Sequence, residues 1–230
     1  MDVNIPIKVF NKAYRPYIDN TKRFLIFYGG ASSGKSYFVA QRYIYKLMVK
    51  DLCNLLVVRE VANTNRDSTF ALLKQVINQW GLEKIFKISE GDMRITCLSN
   101  GNSVIFKGLD DPEKLKSVTF ERGVLSDIWV EEASEIDEAA LNQLNVRLRG
   151  KYVKKQIVLT FNPIDVNHWL KKRFFDTERP NTDILHTTYK DNKFLSEDDK
   201  AELEAYKETD PYYYDVYCLN PTSQGQLKLA

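Results

Sequence analysis

The chain has 230 residues, of which 43% are hydrophobic and 28% charged, and its formal net charge is +2. This composition is typical of one globular domain; no stretch approaches the roughly 20 apolar residues of a membrane span, and the polar N-terminus lacks the apolar core of a signal peptide. Three scattered cysteines, Cys53, Cys97 and Cys218, predict free buried thiols rather than a disulfide framework or a zinc site, and two histidines exclude a histidine-rich metal site.

The first predicted elements alternate between strand and helix. Apolar runs bounded by glycine and polar residues indicate buried strands, and apolar residues at helical spacing indicate amphipathic helices. In chain order we expect a strand at Arg23–Tyr28, a helix from Lys35 to about Lys50, a strand at Asn54–Glu60, and a helix that Asp67 or Ser68 caps and Gly81 closes.

The next segment predicts an antiparallel hairpin. Met93–Leu98 and Ser103–Gly108 are short runs of β-forming residues, and Asn100–Gly101 lies between them. Asn-Gly between two such runs is a strong hairpin signal, because both residues accept the positive φ that a tight turn requires.

Two further core strands and a helix follow. Ser126–Val130 and Gln156–Phe161 are apolar runs that indicate buried strands. Between them, Ser134 with Asp137 three residues later predicts the start of a helix that continues through Leu148. Beyond the last of these strands the sequence is less apolar, and we expect it to be helical.

Strands that alternate with helices predict an α/β fold, with a mostly parallel sheet flanked by helices on both faces and one antiparallel hairpin. We divide the chain into a core at 1–175, a small helical lid or linker subdomain at 176–219, and a flexible tail at 220–230, either native or added by cloning.

A phosphate-binding loop is the strongest functional signal. The segment GGASSGKS matches the pattern G-x-x-x-x-G-K-[ST], and it stands between a predicted strand and a predicted helix. Backbone N–H groups of such a loop converge on phosphate, its lysine contacts the β- and γ-phosphates, and its serine offers a hydroxyl to Mg²⁺. The alternative is a surface turn rich in glycine and serine that binds no phosphate. The predicted ATP-binding residues are Gly29, Gly30, Ala31, Ser32, Ser33, Gly34, Lys35 and Ser36.

Two carboxylates follow the third core strand directly. We expect Glu131 to hold Mg²⁺ through water and Glu132 to orient and activate the attacking water. A glutamate that activates water favours hydrolysis over a kinase reaction. A kinase must exclude water and transfer the phosphoryl group to an oxygen of its substrate. The alternative is that acidic residues here only favour the N-terminus of the following helix; this explains Glu135 to Glu138 better than two acids at the end of a buried strand.

Polar and basic residues near the other strands are weaker candidates. Thr160 and Asn162 could sense the γ-phosphate, or Asn162–Pro163 could simply end the strand. The loop has no arginine, so charge that develops on the γ-phosphoryl group would have to be met by an arginine from elsewhere in the fold. The candidates are Arg122, on a loop expected at the active edge of the sheet, and Arg147 and Arg149 at the end of the following helix; a surface or helix-end role is the alternative for each. Eight basic residues between Arg147 and Arg173 could contact DNA phosphates or form a solvated face.

From about Ile5 to Cys218, the chain resembles the N-terminal ATPase domain of the large terminase subunit of tailed bacteriophages. The resemblance implies a RecA-like P-loop NTPase of the ASCE type. It also implies a motor that uses ATP with Mg²⁺ to translocate double-stranded DNA into a procapsid in the host cytoplasm. The expected partners are the portal protein, the small terminase subunit and further copies in a ring. Besides the loop, the segments that carry the resemblance are VREVANTNRDSTF, NGNSVIFKGLDDPEKLKS, DIWVEEASEI, RLRG and LTFNPIDVNHWLKKRFF.

The resemblance also implies roles for single residues. Lys35 and Ser36 match the nucleotide and Mg²⁺ ligands, Glu131 the Mg²⁺-associated acid, Glu132 the catalytic glutamate, and Thr160–Asn162 the coupling motif. More loosely, Arg122 matches an arginine finger that acts across a ring interface, and Tyr14 a residue that stacks on adenine.

Two departures from the family pattern matter. Ala31 and Ser32 stand where many relatives carry an arginine in the loop. Large terminases also have a C-terminal RNase H-like nuclease domain, and this chain ends before such a domain could fit. We therefore expect a fragment that lacks the nuclease and does not cleave DNA. Two other function classes remain as alternatives: a different P-loop NTPase, such as a helicase or partition ATPase, and a binding module whose partner affinity is switched by nucleotide.

Overall fold

A mixed eight-stranded sheet forms the centre of the protein. The computed structural model describes residues 4–110, 115, 118–149, 154–162, 164–165 and 167–219. Across the sheet the strands follow the order β3-β4-β5-β2-β6-β7-β1-β8. In chain order they are β1 Phe24–Gly29, β2 Leu55–Arg59, β3 Phe86–Ser89, β4 Arg94–Cys97, β5 Ser103–Gly108, β6 Asp127–Glu131, β7 Gln156–Phe161 and β8 Thr182–Thr187.

Six of these strands run parallel. β1 pairs with β7 and β8, β2 pairs with β5 and β6, and β6 pairs with β7, all in the parallel sense. The carboxyl ends of these strands therefore meet at one edge of the sheet, which we call the carboxyl edge, and their first residues meet at the opposite, amino edge. In open α/β sheets ligands bind at the carboxyl edge.

Helices cover both faces of the sheet. Side chains alternate along a strand, so Leu25 and Phe27 of β1 point into one buried cluster, which α1 and α2 complete, whereas Ile26 points into the other, which α3 and α4 complete. A third cluster lies under the last helices. The helices are α1 Lys35–Val49, α2 Ala71–Gln79 after a π-helical turn at Arg66–Phe70, α3 Glu138–Arg147, α4 Trp169–Phe174, α5 Glu197–Thr209 and α6 Pro211–Tyr213, which continues into a π-helical turn at Tyr214–Leu219.

The predicted hairpin and the α/β architecture are confirmed. β4 and β5 pair antiparallel around Gly101, whose φ is +74°. Two predicted helix caps are wrong. Asp137, not Ser134, caps α3 by accepting a hydrogen bond from Ala140 N. The π-helical turn before α2 starts without a side-chain cap, and Ser68 instead donates to the carbonyl of Thr64.

The segment 176–219 is only partly helical, which corrects the prediction. Thr182–Thr187 forms β8, which pairs with β1 and extends the main sheet by one strand. The short strand β3 was also not predicted. The predicted tail 220–230 and Pro163 lie outside the described residues.

The three cysteines are free and buried, as expected. None of the helices in the described ranges is long and apolar enough to cross a membrane.

Candidate functional site

The predicted phosphate-binding loop joins β1 to α1 at the carboxyl edge. Gly29 has φ +138°, and a Cβ on it would lie 1.8 Å from the carbonyl oxygen of Thr187 in β8. Gly34, at the start of α1, has φ +84°. Both positions favour glycine. At Gly29 a side chain would clash with β8 and the backbone has a positive φ, and at Gly34 the positive φ alone disfavours other residues. The loop ends at the N-terminus of the 15-residue helix α1. Backbone N–H groups and the helix dipole at this end favour an anion.

Lys35 is buried beneath this loop. Its Nζ donates to the carbonyl oxygens of Gly29 and Gly30, both at 2.9 Å, to Ser33 Oγ at 3.2 Å and to Asn162 Oδ1 at 3.1 Å. Burial lowers the pKa of Lys35 to about 8, against the opposing effect of two nearby glutamates. The ammonium is held in place by neutral acceptors, which leaves its charge available to an incoming anion.

One cavity brings most of the predicted site residues together. Its volume is about 360 Å³, and the loop, the two glutamates and the end of β7 border it. Gly29 and Gly30 lie behind it and contribute carbonyls to Lys35. The lining residues are Ala31, Ser32, Ser33, Gly34, Lys35, Ser36, Tyr37, Leu72, Glu131, Glu132, Thr160, Phe161 and Asn162.

Glu131 lies at the end of β6 and accepts hydrogen bonds from two neighbouring elements. Ser36 Oγ donates to its Oε1 at 2.5 Å, and Trp129 Nε1 donates to its Oε2 at 3.1 Å. Thr160 of β7 also donates to Oε2. Burial raises the pKa of Glu131, while the hydrogen bonds from Ser36 and Thr160 act in the opposite direction. A serine hydroxyl beside a carboxylate offers the hard oxygen ligands that Mg²⁺ prefers.

Glu132 has an unusual backbone conformation. Its φ is +54°, in the left-handed region that non-glycine residues rarely adopt. Such positions cost about 1–3 kcal/mol and cluster at functional sites. Burial and the adjacent charge of Glu131 raise its pKa, and Lys35 and Arg59 lower it. Within the described part of the chain, no residue donates a hydrogen bond to this carboxylate. It is therefore free to accept one from water.

The two predicted sensor residues contact the two halves of the site. Thr160 bonds to Glu131, and Asn162 bonds to Lys35. Because both residues come from the end of β7, a single strand contacts the acid and the lysine that flank the cavity. The role of a sensor remains a prediction.

Tyr14 does not have the predicted position. Its ring is fully buried and stacks on Phe38, with 4.6 Å between ring centroids. Its hydroxyl donates to the carbonyl of Ser33 at 3.1 Å and lies 2.8 Å from Thr187 Oγ1. In this position the ring lies under the loop and cannot stack on a base, which corrects the prediction. Burial raises the pKa of this hydroxyl to about 12, so it remains a hydrogen-bond donor to the loop.

Arg122 lies at the amino edge, not at the active edge as predicted. Its guanidinium donates to the carbonyls of Asp51 and Asn100, both at 2.7 Å, and pairs with the Asp51 carboxylate at 2.9 Å. The loop that contains it leads into the first residue of β6, and entry loops of parallel strands lie at the amino edge. Arg122 therefore cannot reach the cavity of its own chain.

Arg59 is a candidate that the sequence analysis missed. It ends β2, the strand beside β6, and lies on the same edge as the two glutamates. Its guanidinium donates to Ser68 Oγ at 3.2 Å and lies 3.7 Å from Glu135. Its charge lowers the pKa of both Glu131 and Glu132. The available signal was an arginine at the end of an apolar run.

The predicted basic segment is not one continuous surface. Arg173 is buried and pairs with Glu138 and Asn142 of α3, and Lys171 pairs with Asp176. Lys154 and Lys155 border a different cavity, of about 320 Å³, at the amino edge. Lys151 lies outside the described residues, and the described basic residues of this segment do not form one patch.

Comparisons with known proteins converge on one family. Residues 21–220 match the family model described as phage terminase large subunit. The PBSX phage terminase large subunit of Bacillus subtilis is 35% identical, over 91% of this chain and 52% of the relative. This chain thus spans about half the length of that relative.

Solved structures have the same fold. The large terminase of a thermophilic bacteriophage in complex with ATP-γ-S superposes with a TM-score of 0.71 at 18% identity, over 91% of this chain and 52% of that one. The large terminase ATPase domain of Thermus phage P74-26 superposes with a TM-score of 0.59 at 15% identity, over 87% of this chain and 88% of that one.

Proposed function

Because this chain belongs to the phage terminase large-subunit family, we propose that it is the ATPase part of a viral DNA-packaging motor, which hydrolyses ATP with Mg²⁺ and moves double-stranded DNA into a procapsid. One observation carries the proposal: a single cavity is bordered by the phosphate-binding loop, both carboxylates and the end of β7. Relatives whose structures contain ATP-γ-S or are described as an ATPase domain support nucleotide binding and hydrolysis.

The loop and Lys35 bind the triphosphate in this proposal. Backbone N–H groups of residues 30–36 would surround the β-phosphate, and the helix dipole of α1 adds to the attraction. Lys35 Nζ would exchange some of its present acceptors for oxygens of the β- and γ-phosphates. Its pKa of about 8 keeps it mainly protonated at neutral pH, and the charge of the nucleotide favours the protonated form further.

Ser36 and Glu131 are the residues that would hold Mg²⁺, Glu131 through water. The bound ion would neutralise charge on the phosphates and orient the γ-phosphoryl group. The fit rests on the 2.5 Å contact between the Ser36 hydroxyl and the Glu131 carboxylate at the cavity wall.

Glu132 is the residue that activates water. Its carboxylate accepts a hydrogen bond from the attacking water and takes one of its protons as the water oxygen bonds to the γ-phosphorus. The bond between the γ-phosphorus and the bridging oxygen breaks at the same time, so ADP leaves with that oxygen and its electron pair, and the γ-phosphoryl group becomes inorganic phosphate. The carboxylate must be ionised for this step. Thr160 and Asn162 would report loss of the γ-phosphate, because one contacts Glu131 and the other contacts Lys35.

The motor role extends beyond the residues of one cavity. We expect a homo-oligomeric ring on the portal, with the small terminase subunit as a further partner and the host cytoplasm as the site of action. Arg122 lies far from the cavity of its own chain, so an arginine-finger role for it requires a neighbouring subunit. It remains a prediction that Arg122 acts in this way.

The proposal is tested by measuring phosphate release by this chain at saturating ATP and Mg²⁺, with and without double-stranded DNA and procapsids. We expect turnover that Lys35→Ala abolishes and that DNA and procapsids stimulate. Lys74→Ala, which removes a partly exposed lysine of α2, is the matched control. Nucleotide-dependent partner binding without turnover would favour the switch alternative. Turnover that procapsids do not affect, under conditions in which they package DNA with the full motor, would contradict the packaging role.

A further inference from the structure

Two asparagines hold the outer side of the phosphate-binding loop. Asn192, which follows the 3₁₀ turn Tyr189–Asp191, donates through Nδ2 to the carbonyl oxygen of Ser32 at 2.8 Å. Ser32 has φ +58°, a conformation that is costly for a residue other than glycine. The hydrogen bond from Asn192 thus fixes the loop at its most strained position.

Asn11 holds Asn192 in this orientation. Asn11 Nδ2 donates to Asn192 Oδ1 at 3.1 Å, and Asn11 Oδ1 accepts from the backbone N–H of Lys193 at 3.1 Å. The backbone N–H of Phe194 also donates to Asn192 Oδ1 at 3.1 Å. Asn192 Oδ1 must face these two donors, Asn11 Nδ2 and Phe194 N. The NH₂ group of Asn192 therefore faces the loop. We call Asn11 and Asn192 together the carboxamide clasp.

The clasp also lies against the other end of the loop. A Cβ on Gly34 would stand 3.1 Å from Asn11 Nδ2 and 3.6 Å from Asn192 Cγ. A side chain at position 34 would therefore push the two carboxamides away. The loop is packed against the clasp from Ser32 to Gly34.

This arrangement affects how the loop can bind phosphate. Consecutive N–H groups form an anion-binding concavity only if the intervening carbonyls point away from it. The clasp donates a hydrogen bond to one such carbonyl, that of Ser32, and Tyr14 donates to the next, that of Ser33. With both carbonyls bonded on the outer side, the N–H groups are left facing the cavity.

The clasp further connects the loop to the C-terminal helices. Tyr189, in the turn before Asn192, is buried, and its hydroxyl lies 2.9 Å from the hydroxyl of Tyr214. Both hydroxyls contact Glu204 of α5. A displacement of α5 would therefore move the turn that carries Asn192.

We infer that Asn192, oriented by Asn11, is a positioning residue that preorganises the phosphate-binding loop and makes nucleotide affinity depend on the C-terminal helices. The inference rests on the proposed function, because it names a determinant of nucleotide affinity. Asn192 lines no part of the cavity and acts through the loop backbone alone.

Nucleotide titrations test the inference. Asn192→Ala, and the nearly isosteric Asn192→Asp, which replaces the amide donor by an acceptor, should weaken binding of both ADP and ATP about fivefold to tenfold, the effect of one lost hydrogen bond. KM for ATP should rise by a similar factor while kcat changes less than twofold, because the acidic pair is untouched. In the double variant Asn11→Ala/Asn192→Ala, the loss should be smaller than the product of the single losses, since both residues act through one contact. Asn78→Ala, at an exposed position on α2, is the matched control.

A second measurement does not depend on the nucleotide. Hydrogen exchange of the loop amides in the free protein should be faster in Asn192→Ala than in the wild type and unchanged in Asn78→Ala. A role in global stability alone would lower Tm and leave affinity and loop exchange of the folded protein unaltered. Loop exchange and nucleotide affinity within twofold of the wild type would overturn the inference. Absence of nucleotide binding by the wild type would instead overturn the proposed function, and the exchange experiment would still decide on the clasp.

Discussion

Glu132 combines three features that seldom occur together at a surface residue: a left-handed backbone, partial burial and a neighbouring carboxylate. The first fixes the direction of the side chain, and the other two raise its pKa. A general base is more effective when its pKa is nearer the working pH. The neighbouring Lys35 and Arg59 act in the opposite direction and favour the ionised form.

The pH dependence of turnover follows from this balance. Only the ionised form of Glu132 accepts a proton, so kcat should fall as the pH decreases through its pKa, at a pH above the ordinary carboxyl value of 4.5. Arg59→Ala removes a cation that favours the ionised form, so the acid limb of the pH–rate profile should shift to higher pH. Arg66→Ala, at an exposed arginine that pairs with Glu90, is the control. An unchanged acid limb in Arg59→Ala would contradict the assignment.

Arg122 is a second residue with a proposed role, which is to act on the cavity of a neighbouring copy. If it acts across a ring interface, Arg122→Ala and Glu132→Ala subunits should each be inactive alone. Their mixture should recover part of the wild-type turnover, because some interfaces then combine an intact arginine with an intact glutamate. Arg66→Ala, at an exposed arginine that pairs with Glu90, should remain active. No recovery, under conditions in which wild-type subunits assemble, would exclude action in trans.

At the scale of elements, β8 is a structural support of the loop. It pairs with β1 on the side away from β7, and the carbonyl of Thr187 at its end accepts a hydrogen bond from Gly30 N at 3.2 Å. The same carbonyl oxygen is the atom that a Cβ on Gly29 would meet. The loop and β8 can therefore keep their present contact only with glycine at position 29.

Gly29→Ala tests this contact. The added methyl group would clash with backbone of β8 in a conformation that alanine avoids, so we expect a loss of at least about 2 kcal/mol in the free energy of unfolding and weaker nucleotide binding. Gly91→Ala is the matched control, because nothing lies within 4 Å of its added Cβ and its φ is not positive. Urea unfolding of both variants measures the difference. Equal stability of the two would contradict the close approach of β8.

Local signals were sufficient for part of the fold and the site. The strand before the loop, the Asn-Gly hairpin and the acidic pair each depend on residues that are adjacent in sequence, and the structure places them as predicted. β8 was missed because TDILHT is polar at its ends and only half-buried; its strand conformation depends on pairing with β1. Features that depend on distant contacts were not visible in the sequence.

Three site residues illustrate the same distinction. The importance of Arg59 depends on the neighbouring positions of β2 and β6, which no local pattern reveals. The position of Tyr14 depends on its packing against Phe38. The place of Arg122 could have been derived from the sequence, because a loop that leads into a parallel strand lies at the amino edge.

At the scale of the whole molecule, the sheet separates two cavities. The carboxyl edge holds the cavity bordered by the phosphate-binding loop, while Arg122 and the cavity bordered by Lys154 and Lys155 lie at the amino edge. If the chain acts in a ring as proposed, the amino edge of one copy would face the carboxyl edge of its neighbour. Turnover by the isolated chain should then be slower than turnover by the proposed assembly.

Comparison of wild type with Glu132→Gln tests the central claim most directly. Glutamine keeps the size and polarity of the side chain but cannot take a proton from water. We expect the variant to bind ATP with an affinity within about threefold of the wild type, and kcat to fall at least about 100-fold, the usual contribution of a general base. A folded, ATP-binding Glu132→Gln variant whose turnover stays within a few-fold of the wild type would contradict the proposal that this carboxylate activates the attacking water.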